Sequence, residues 1–415
     1  MVDKLAWITD EMNALQEQGL KNTIRTIGSP TGATMMVDGK RVLNFCTNNY
    51  LGLANDARLK TAAQKAIDDW GVGPAAVRSI AGTLELHREF EKRMAAFKGV
   101  EDALYVQSGF CANQAAVAPI VGKDDVIFTD RLNHASIIDG CRLSSAKILI
   151  YEHCDVADAE RVIKENIRNY RRAMLITDGV FSMDGDMAPL DKLYAVCEAH
   201  NVITMVDDAH GEGVAGRGGR GIVDHFGLHG KFDLEIGTLS KAFGVVGGVI
   251  AGKKIVVDWI RQRARPFLFS SAVTPADTAA CLAAVDLLEK STELVDKLWE
   301  NTRYFKSEMK RLGFDIGVST TPITPISIPE IAGPATPAAL APALLIAMAL
   351  NSRSGGTSSA TILLRAVMLK AALIPPTKDA RRRCQYSIRL VVIKIAMKRA
   401  ITAVIIWVMI MTFRF

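Results

Sequence analysis

The amino-acid sequence predicts an α/β protein with a mostly parallel sheet flanked by helices, and two observations carry that expectation. Short apolar runs of strand length (DALYV, DVIFT, KILIY, AMLITDGV, VITMVDDA and LEIGTLS) alternate with segments of helical period between about Asp56 and Ile326. Strands separated by helices pair in parallel through right-handed crossovers, which covers one sheet on both faces. Size is the second observation. The 415 residues, 49% apolar and 23% charged, can bury a large core. At roughly 150 residues per domain, two or three domains are expected.

Along the chain, Leu5, Ile8, Met12 and Leu15 recur at helical spacing and predict an amphipathic helix over Lys4 to Lys21. MMVDGKRVLNF reads as a hairpin turning at Asp38-Gly39. Helices are expected over Leu86–Phe97, Leu190–His200 and the long stretch from Thr274 to Leu312. The N-terminus carries acids and no apolar run, so it does not read as a secretory signal. Seven scattered cysteines without CxxC pairs argue against a zinc site or a disulfide framework and for a reducing compartment. The expected location is cytoplasmic, and no metal is expected.

After Ile326 the character changes. Residues 327–415 hold twelve Lys and Arg against two acids, Glu330 and Asp379, leaving the first 326 residues with 38 basic and 42 acidic side chains. The basic balance of the whole chain therefore belongs to its tail, and the body is mildly acidic. The tail is rich in Ala, Pro, Ser and Thr, and its arginines are spaced by apolar runs with few aromatics. No helix-turn-helix or finger pattern is present, so no nucleic-acid partner is expected. The last apolar run, Ala400 to Phe413, is 14 residues, short of the roughly 20 a membrane helix needs. It reads as an irregular terminal segment, and no membrane partner is expected.

Four segments carry chemistry. VDDAH, Val206 to His210, ends an apolar run and puts acids where parallel α/β sheets bind ligands. Alone, such a pair is ordinarily a cap and a turn. GTLSKAFG, Gly237 to Gly244, follows another strand and places Lys241 between hydroxyls and a glycine turn, 34 residues beyond Asp207. An acid on one strand end and a lysine one βα unit later can approach opposite ends of a single cofactor. Pyridoxal phosphate (PLP) needs a lysine for its Schiff base, an acid for its ring nitrogen, and hydroxyls or amides for its phosphate. SGFCANQ opens a helix at Ser108-Gly109-Phe110, where amide groups can hold a phosphate. LNHASIIDG contains His134, which could stack on a cofactor ring, although a lone histidine is more often structural.

In this order, together with NFCTNNYLGLAN, GPAAVRSIAGT, TDGVFSMDGD and RPFLFSS, these segments resemble the α-oxoamine synthase family of fold-type I PLP enzymes over roughly residues 5 to 326. The resemblance implies a fold-type I PLP-dependent transferase joining an amino acid to an acyl-CoA. It implies that Lys241 forms the Schiff base and acts as general base, that Asp207 pairs with the pyridine nitrogen, and that His134 stacks on the ring and borders the substrate. His210 and Ser182 would lie near the ring 3′-oxygen; Gly109, Phe110 and Thr238 would hold cofactor or phosphate. Asn49 would border the substrate. Ser270 and Ser271 would reach the phosphate of a partner subunit, which implies a homodimer with shared active sites. Ser182 as a turn cap and Asn49 as a turn residue remain open alternatives, and Asp208 is expected to be structural. The implied domains are an N-terminal segment over 1–55, a large PLP-binding domain over 56–290, the start of a small domain over 291–326, and an aberrant tail over 327–415.

Within the family, GPAAVRSIAGT and NFCTNNYLGLAN look most like the glycine C-acetyltransferases, which use glycine and acetyl-CoA. The alternative is the 8-amino-7-oxononanoate synthases, which use alanine and a pimeloyl thioester. A third possibility is a chain that binds PLP but is catalytically impaired. Family members end in a small domain whose arginine grips the substrate carboxylate, and only Arg389, in YSIRLVV, has a loosely similar setting. The abrupt loss of acids and gain of Ala, Pro and Arg resemble translation in a shifted frame.

Overall fold

The computed structural model describes residues 3–327 and, as backbone, the strands 343–347, 385–394 and 405–414. The chain divides into two units. One comprises Met1–Thr47, Asn301–Ser319 and Ile323–Phe415; the other comprises Asn48–Glu300 and Thr320–Pro322.

The first unit begins with helix α1 (Ala6–Glu17), within the expected range, and strands β1 (Thr34–Val37) and β2 (Lys40–Leu43). These pair antiparallel about Asp38 and Gly39, both at positive φ (47° and 74°). That is the backbone a two-residue hairpin turn requires, and Asp-Gly tolerates it at little cost.

In the second unit, helices α2 (Ala57–Trp70) and α3 (Glu85–Lys98) precede β3 (Asp102–Val106) and α4 (Gly109–Val117). The chain continues through β4 (Val126–Asp130), α5 (Ala135–Ser144), β5 (Lys147–Tyr151), α6 (Val156–Asn166) and β6 (Ala173–Asp178). Then come α7 (Leu190–His200), β7 (Ile203–Asp207), the short α8 (Ile222–His225), β8 (Leu234–Thr238) and β9 (Gly248–Gly252). Helices α9 (Lys254–Arg263), α10 (Arg265–Leu268) and α11 (Pro275–Lys290) follow.

The seven strands form one sheet in the order β3-β9-β8-β7-β6-β4-β5. Strands β4 to β8 pair in parallel, as the alternating pattern predicts. Strand β9 was not foreseen, and it runs antiparallel to both β3 and β8. The loop between β8 and β9 is too short for a helical crossover, so the chain must reverse. Buried residues such as Leu104, Ile127, Met174, Met205 and Ile236 make the sheet's core, packed by Ala115 of α4 and its neighbours.

The stretch predicted as one helix from Thr274 to Leu312 is broken. Ser291 adopts an extended backbone (φ −155°, ψ 140°) after α11, and its hydroxyl accepts the amide of Glu293 at the start of α12 (Glu293–Arg311). A serine hydroxyl that caps backbone N–H groups competes with helix continuation. The first unit is completed by β10 (Ile323–Ser327), β11 (Ala343–Ala347), β12 (Gln385–Lys394) and β13 (Ile405–Arg414), in the sheet order β1-β2-β13-β11-β10 with β12 beside β13. Among the described residues no helix is long and apolar enough to cross a membrane.

Candidate active site

Parallel strands β4, β6, β7 and β8 end at the same sheet edge, so their last residues, Asp130, Asp178, Asp207 and Thr238, are delivered to one place by topology alone. Asp178 and Asp207 are direct neighbours in register. Asp207 is 4% exposed and is oriented from two sides. Its Oδ1 accepts the amide of Ala209 at 2.9 Å, and its Oδ2 accepts Asn113 Nδ2 at 2.6 Å.

Asn113, one turn into α4, also donates to Ser136 Oγ at 2.9 Å, and Ser136 Oγ lies 2.7 Å from His134 Nδ1. With its lone pairs facing Asn113, the serine hydroxyl donates to Nδ1, as does the Ser136 amide at 3.2 Å. Nδ1 is therefore an acceptor, and His134 carries its proton on Nε2. The backbone amide of His134 is held by Asp178 Oδ2 at 2.7 Å. One relay, Asp207–Asn113–Ser136–His134, thus couples two of the expected site residues. Burial and nearby Lys241 hold His134 below the usual imidazole range, against the pull of Asp207. Burial, and then the charge of Asp207, push the Asp178 carboxyl well up.

His210 is fixed by Tyr50, whose hydroxyl lies 2.7 Å from Nδ1. Burial drives the Tyr50 phenol up and His210 well down, with Lys241 and His134 adding to the latter. Both groups are then neutral, and the phenol, the stronger donor, donates its hydrogen bond to Nδ1. Lys241 lies in electrostatic range of Asp207, Asp178 and Glu212; burial nonetheless lowers its amine to about 8. Such an amine is substantially nucleophilic near neutral pH.

The phosphate end is built by α4 and β8. Ser108 caps α4, accepting the amide of Cys111, and the first-turn amides of Gly109 and Phe110 have no partners within the helix. A Cβ on Gly109 would stand 2.8 Å from Thr238 Cβ and 3.0 Å from its Oγ1. The helix start therefore touches the strand end as only glycine allows. Thr238 Oγ1 is 2.9 Å from Ser240 Oγ. Amides at a helix N-terminus, paired hydroxyls, a buried carboxylate and a lysine of depressed basicity fit the donor set PLP requires.

The remaining expected residues are placed as follows. Asn49 is buried, and its Oδ1 accepts the amide of Ala54 at 3.1 Å, a turn contact. Ser182 lies after β6 in a loop pinned by a Val180–Met187 bridge and by the Phe181 amide to Asp186. Ser270 and Ser271 follow α10, with Ser271 bridged to Val77 and its carbonyl accepting Gln107 Nε2 at 2.5 Å; among the described residues no hydrogen bond joins either to another expected site residue. The side chain of Arg389 lies outside the described residues. Asp208 is structural in its bonding: it accepts Lys98 and the amide of Ile222.

Sequence reasoning passed over Tyr50, Asn113, Ser136 and Asp178. An asparagine beside Gln114 in the mostly apolar run GFCANQAAV was the available signal for Asn113. His153, Cys154, Asp130, Asp184 and Asp186 also approach one another. Both ring nitrogens of His153 already bond carboxylates, to Asp130 at 3.0 Å and Asp186 at 2.9 Å. Burial opposes the charge on this ring, yet the two acids push it up to about 12, so it serves as an imidazolium tie between β4 and the Ser182 loop.

A family model described as aminotransferase class I and II matches residues 40–367. The 8-amino-7-oxononanoate synthase of Fervidobacterium nodosum is 60% identical over 324 residues, 77% of this chain and 82% of that protein. The synthase of Thermoanaerobacter pseudethanolicus is 52% identical over 329 residues, 79% and 83% of the two chains. Among solved structures, serine palmitoyltransferase of Sphingomonas wittichii superposes with a TM-score of 0.74 at 28% identity, covering 80% of this chain and 84% of that one. The 8-amino-7-oxononanoate synthase of Francisella tularensis gives 0.61 at 29% identity, covering 69% and 81%.

Proposed function

Because the chain belongs to the α-oxoamine synthase branch of the class I and II aminotransferase family, a group of PLP-dependent enzymes, we propose that it joins alanine to a pimeloyl thioester, releasing carbon dioxide and the thiol to give 8-amino-7-oxononanoate. The observation that carries this choice is the 60% identity over 324 residues to a synthase of that name. It replaces the glycine and acetyl-CoA pairing expected from GPAAVRSIAGT and NFCTNNYLGLAN. Those short motifs line features common to the whole branch, so they discriminate poorly between its members.

PLP, when bound, supplies the electron sink that stabilises negative charge at the amino acid's α-carbon. Lys241, with its lowered basicity, serves as the amine that holds the cofactor and then as the base that removes the α-proton. Asp207, oriented by Asn113 and Ala209, keeps a proton on the pyridine nitrogen. His134 presents its ring, fixed by Ser136, to the cofactor face and the substrate, and neutral His210 donates toward the ring oxygen from Nε2, with Ser182 on that side. Gly109, Phe110 and Thr238 hold the phosphate, and Asn49 borders the substrate.

A homodimer with shared active sites is part of this reading. It is supported by an exposed apolar strip: Ile80 is 83% and Phe269 71% exposed, on adjacent segments joined by the Val77–Ser271 bridge. Ser270 and Ser271 lie on that strip and would reach the partner's phosphate.

The test is thiol release by purified, PLP-saturated protein with alanine and pimeloyl-CoA against glycine and acetyl-CoA. A larger kcat/KM for the first pair is expected; preference for the second restores the glycine reading. A normal PLP absorption band with no thiol release from either pair points to a chain that binds cofactor but is catalytically impaired.

A further inference from the structure

Behind the site lies a charge cluster that the reaction does not use directly. Lys98, the last residue of α3, has a fully buried ammonium 3.1 Å from Asp208 Oδ2, 3.2 Å from Glu235 Oε2 and 3.4 Å from Glu212 Oε1. All three acids are at most 2% exposed. Asp208 is fully engaged, since its other oxygen accepts the amide of Ile222 at 3.0 Å. Glu212 differs: among the described residues neither of its carboxyl oxygens has a well-aligned hydrogen-bond partner, Oε1 meeting the ammonium only as an ion pair, and Glu235 Oε1 has none either.

One cation cannot balance three anions out of water. An uncompensated charge is strongly disfavoured out of water, and the cheapest relief is a proton. Lys98 and Asp208 form the bonded ion pair, which leaves Glu212 and Glu235 facing the same ammonium. The other charged groups nearby are Asp207 on the Glu212 side and Asp224 and His229 on the Glu235 side. Burial raises all three acids, Asp208 to about 7, with Lys98 opposing. Asp208 is the one whose two oxygens accept the Lys98 ammonium and the Ile222 amide, donors that favour its charged form and leave the proton to the glutamates. Lys98 itself is held charged by its acids against burial. Glu212 also lies under the strand that leads to Lys241: a Cβ on Gly237 would fall 2.2 Å from its Oε2. Lys241 is within its electrostatic reach.

We propose that Glu212 and Glu235 share one proton beside Lys98, so that the cluster holds a single negative charge behind Lys241 and thereby sets the protonation of that amine. They are positioning residues, acting on the site through charge alone. Only the second measurement below rests on the PLP reading.

The first measurement is infrared spectroscopy of the cofactor-free protein. A carboxylic-acid C=O band is expected in the wild-type spectrum and should disappear in Glu212→Gln and in Glu235→Gln, because the remaining glutamate then ionises. Difference spectra separate it from Asp178, which all three proteins retain. The second is the pH midpoint of the visible band of PLP-loaded protein. Each single variant keeps one negative charge; Glu235→Gln leaves it on Glu212, the glutamate within reach of Lys241, and should not lower the midpoint. The double variant loses it, and the midpoint should fall by roughly one pH unit, a tenfold change worth about 1.4 kcal/mol.

Persistence of the infrared band in either single variant overturns the proposal, since the proton would then belong to the other glutamate alone or to neither. So does a midpoint that falls in Glu235→Gln, which would mean two ionised acids, or that stays put in the double variant, which would mean none. If the infrared pattern holds but PLP gives no band, the cluster stands and the cofactor reading falls.

Discussion

Gly109→Ala tests whether the helix start and strand end really form a cofactor cradle. The added Cβ would meet Thr238 Cβ at 2.8 Å and Oγ1 at 3.0 Å. Carbon atoms pack best at about 3.5–4.0 Å, so α4 and β8 must separate by about 1 Å. Neither can do so freely, since Thr238 lies in a strand hydrogen-bonded on both sides and α4 packs on that sheet. Overpacking of this kind costs about 1–3 kcal/mol of stability. It also shifts the amides of Gly109 and Phe110 relative to the Thr238 hydroxyl, so that one cluster of donors no longer converges. The expected result is a PLP dissociation constant about ten- to a hundredfold higher, or about 1.4–2.7 kcal/mol, measured by absorbance titration, with apo protein melting several degrees lower. Gly73→Ala is the control: nothing lies within 4 Å of its added Cβ, and it should change neither quantity. A Gly109→Ala protein that binds PLP within twofold of wild type and melts normally would refute the cradle.

Lys241→Met should abolish the visible PLP band yet stabilise the apo protein. The native amine titrates at about 8 against an unfolded value of 10.5, so below pH 8 the native state bears a charged, buried amine costing up to about 3 kcal/mol. Between pH 8 and 10.5 the unfolded chain binds the extra proton. Wild-type stability should therefore rise with pH through that window, and the gap to the variant should close; chemical denaturation at several pH values checks it. Asn113→Leu removes a donor from both Asp207 and Ser136 and should cost about 1–3 kcal/mol, with weaker PLP binding by titration. Tyr50→Phe leaves the buried His210 Nδ1 without its donor and should cost about 1–3 kcal/mol in the same unfolding assay, with a displaced PLP absorption midpoint. Verified coding DNA, read one base out of register beyond the codon for Ile326, should continue into a family-like, acid-containing C-terminus; uninterrupted agreement with the present frame would refute that.

Which segments become strands was readable from composition, because buried parallel strands must be apolar along their whole length. VIFT, AMLIT and ITMV needed no more than that. The Asp38-Gly39 turn was equally plain, since few residues accept positive φ at both positions. The motif residues could be grouped as well: Asp207 ends a strand and Lys241 follows the next one, so a shared site followed from chain direction.

Other features needed the folded molecule. Strand β9, GVIAG, is apolar like its neighbours, and its reversed direction depends on a loop length that periodicity does not weigh. Ser291 divides two helices that share one continuous apolar period. Asn113, Ser136 and Tyr50 join the site through partners 94, 23 and 160 residues away. Lys98 reads as one more charge at a helix end until its ammonium is seen among three buried acids. Local pattern reports the free energy of burying a segment, which each segment carries by itself. Hydrogen-bond relays and charge balance are properties of pairs, and a pair exists only once the sheet has brought distant strand ends to one edge.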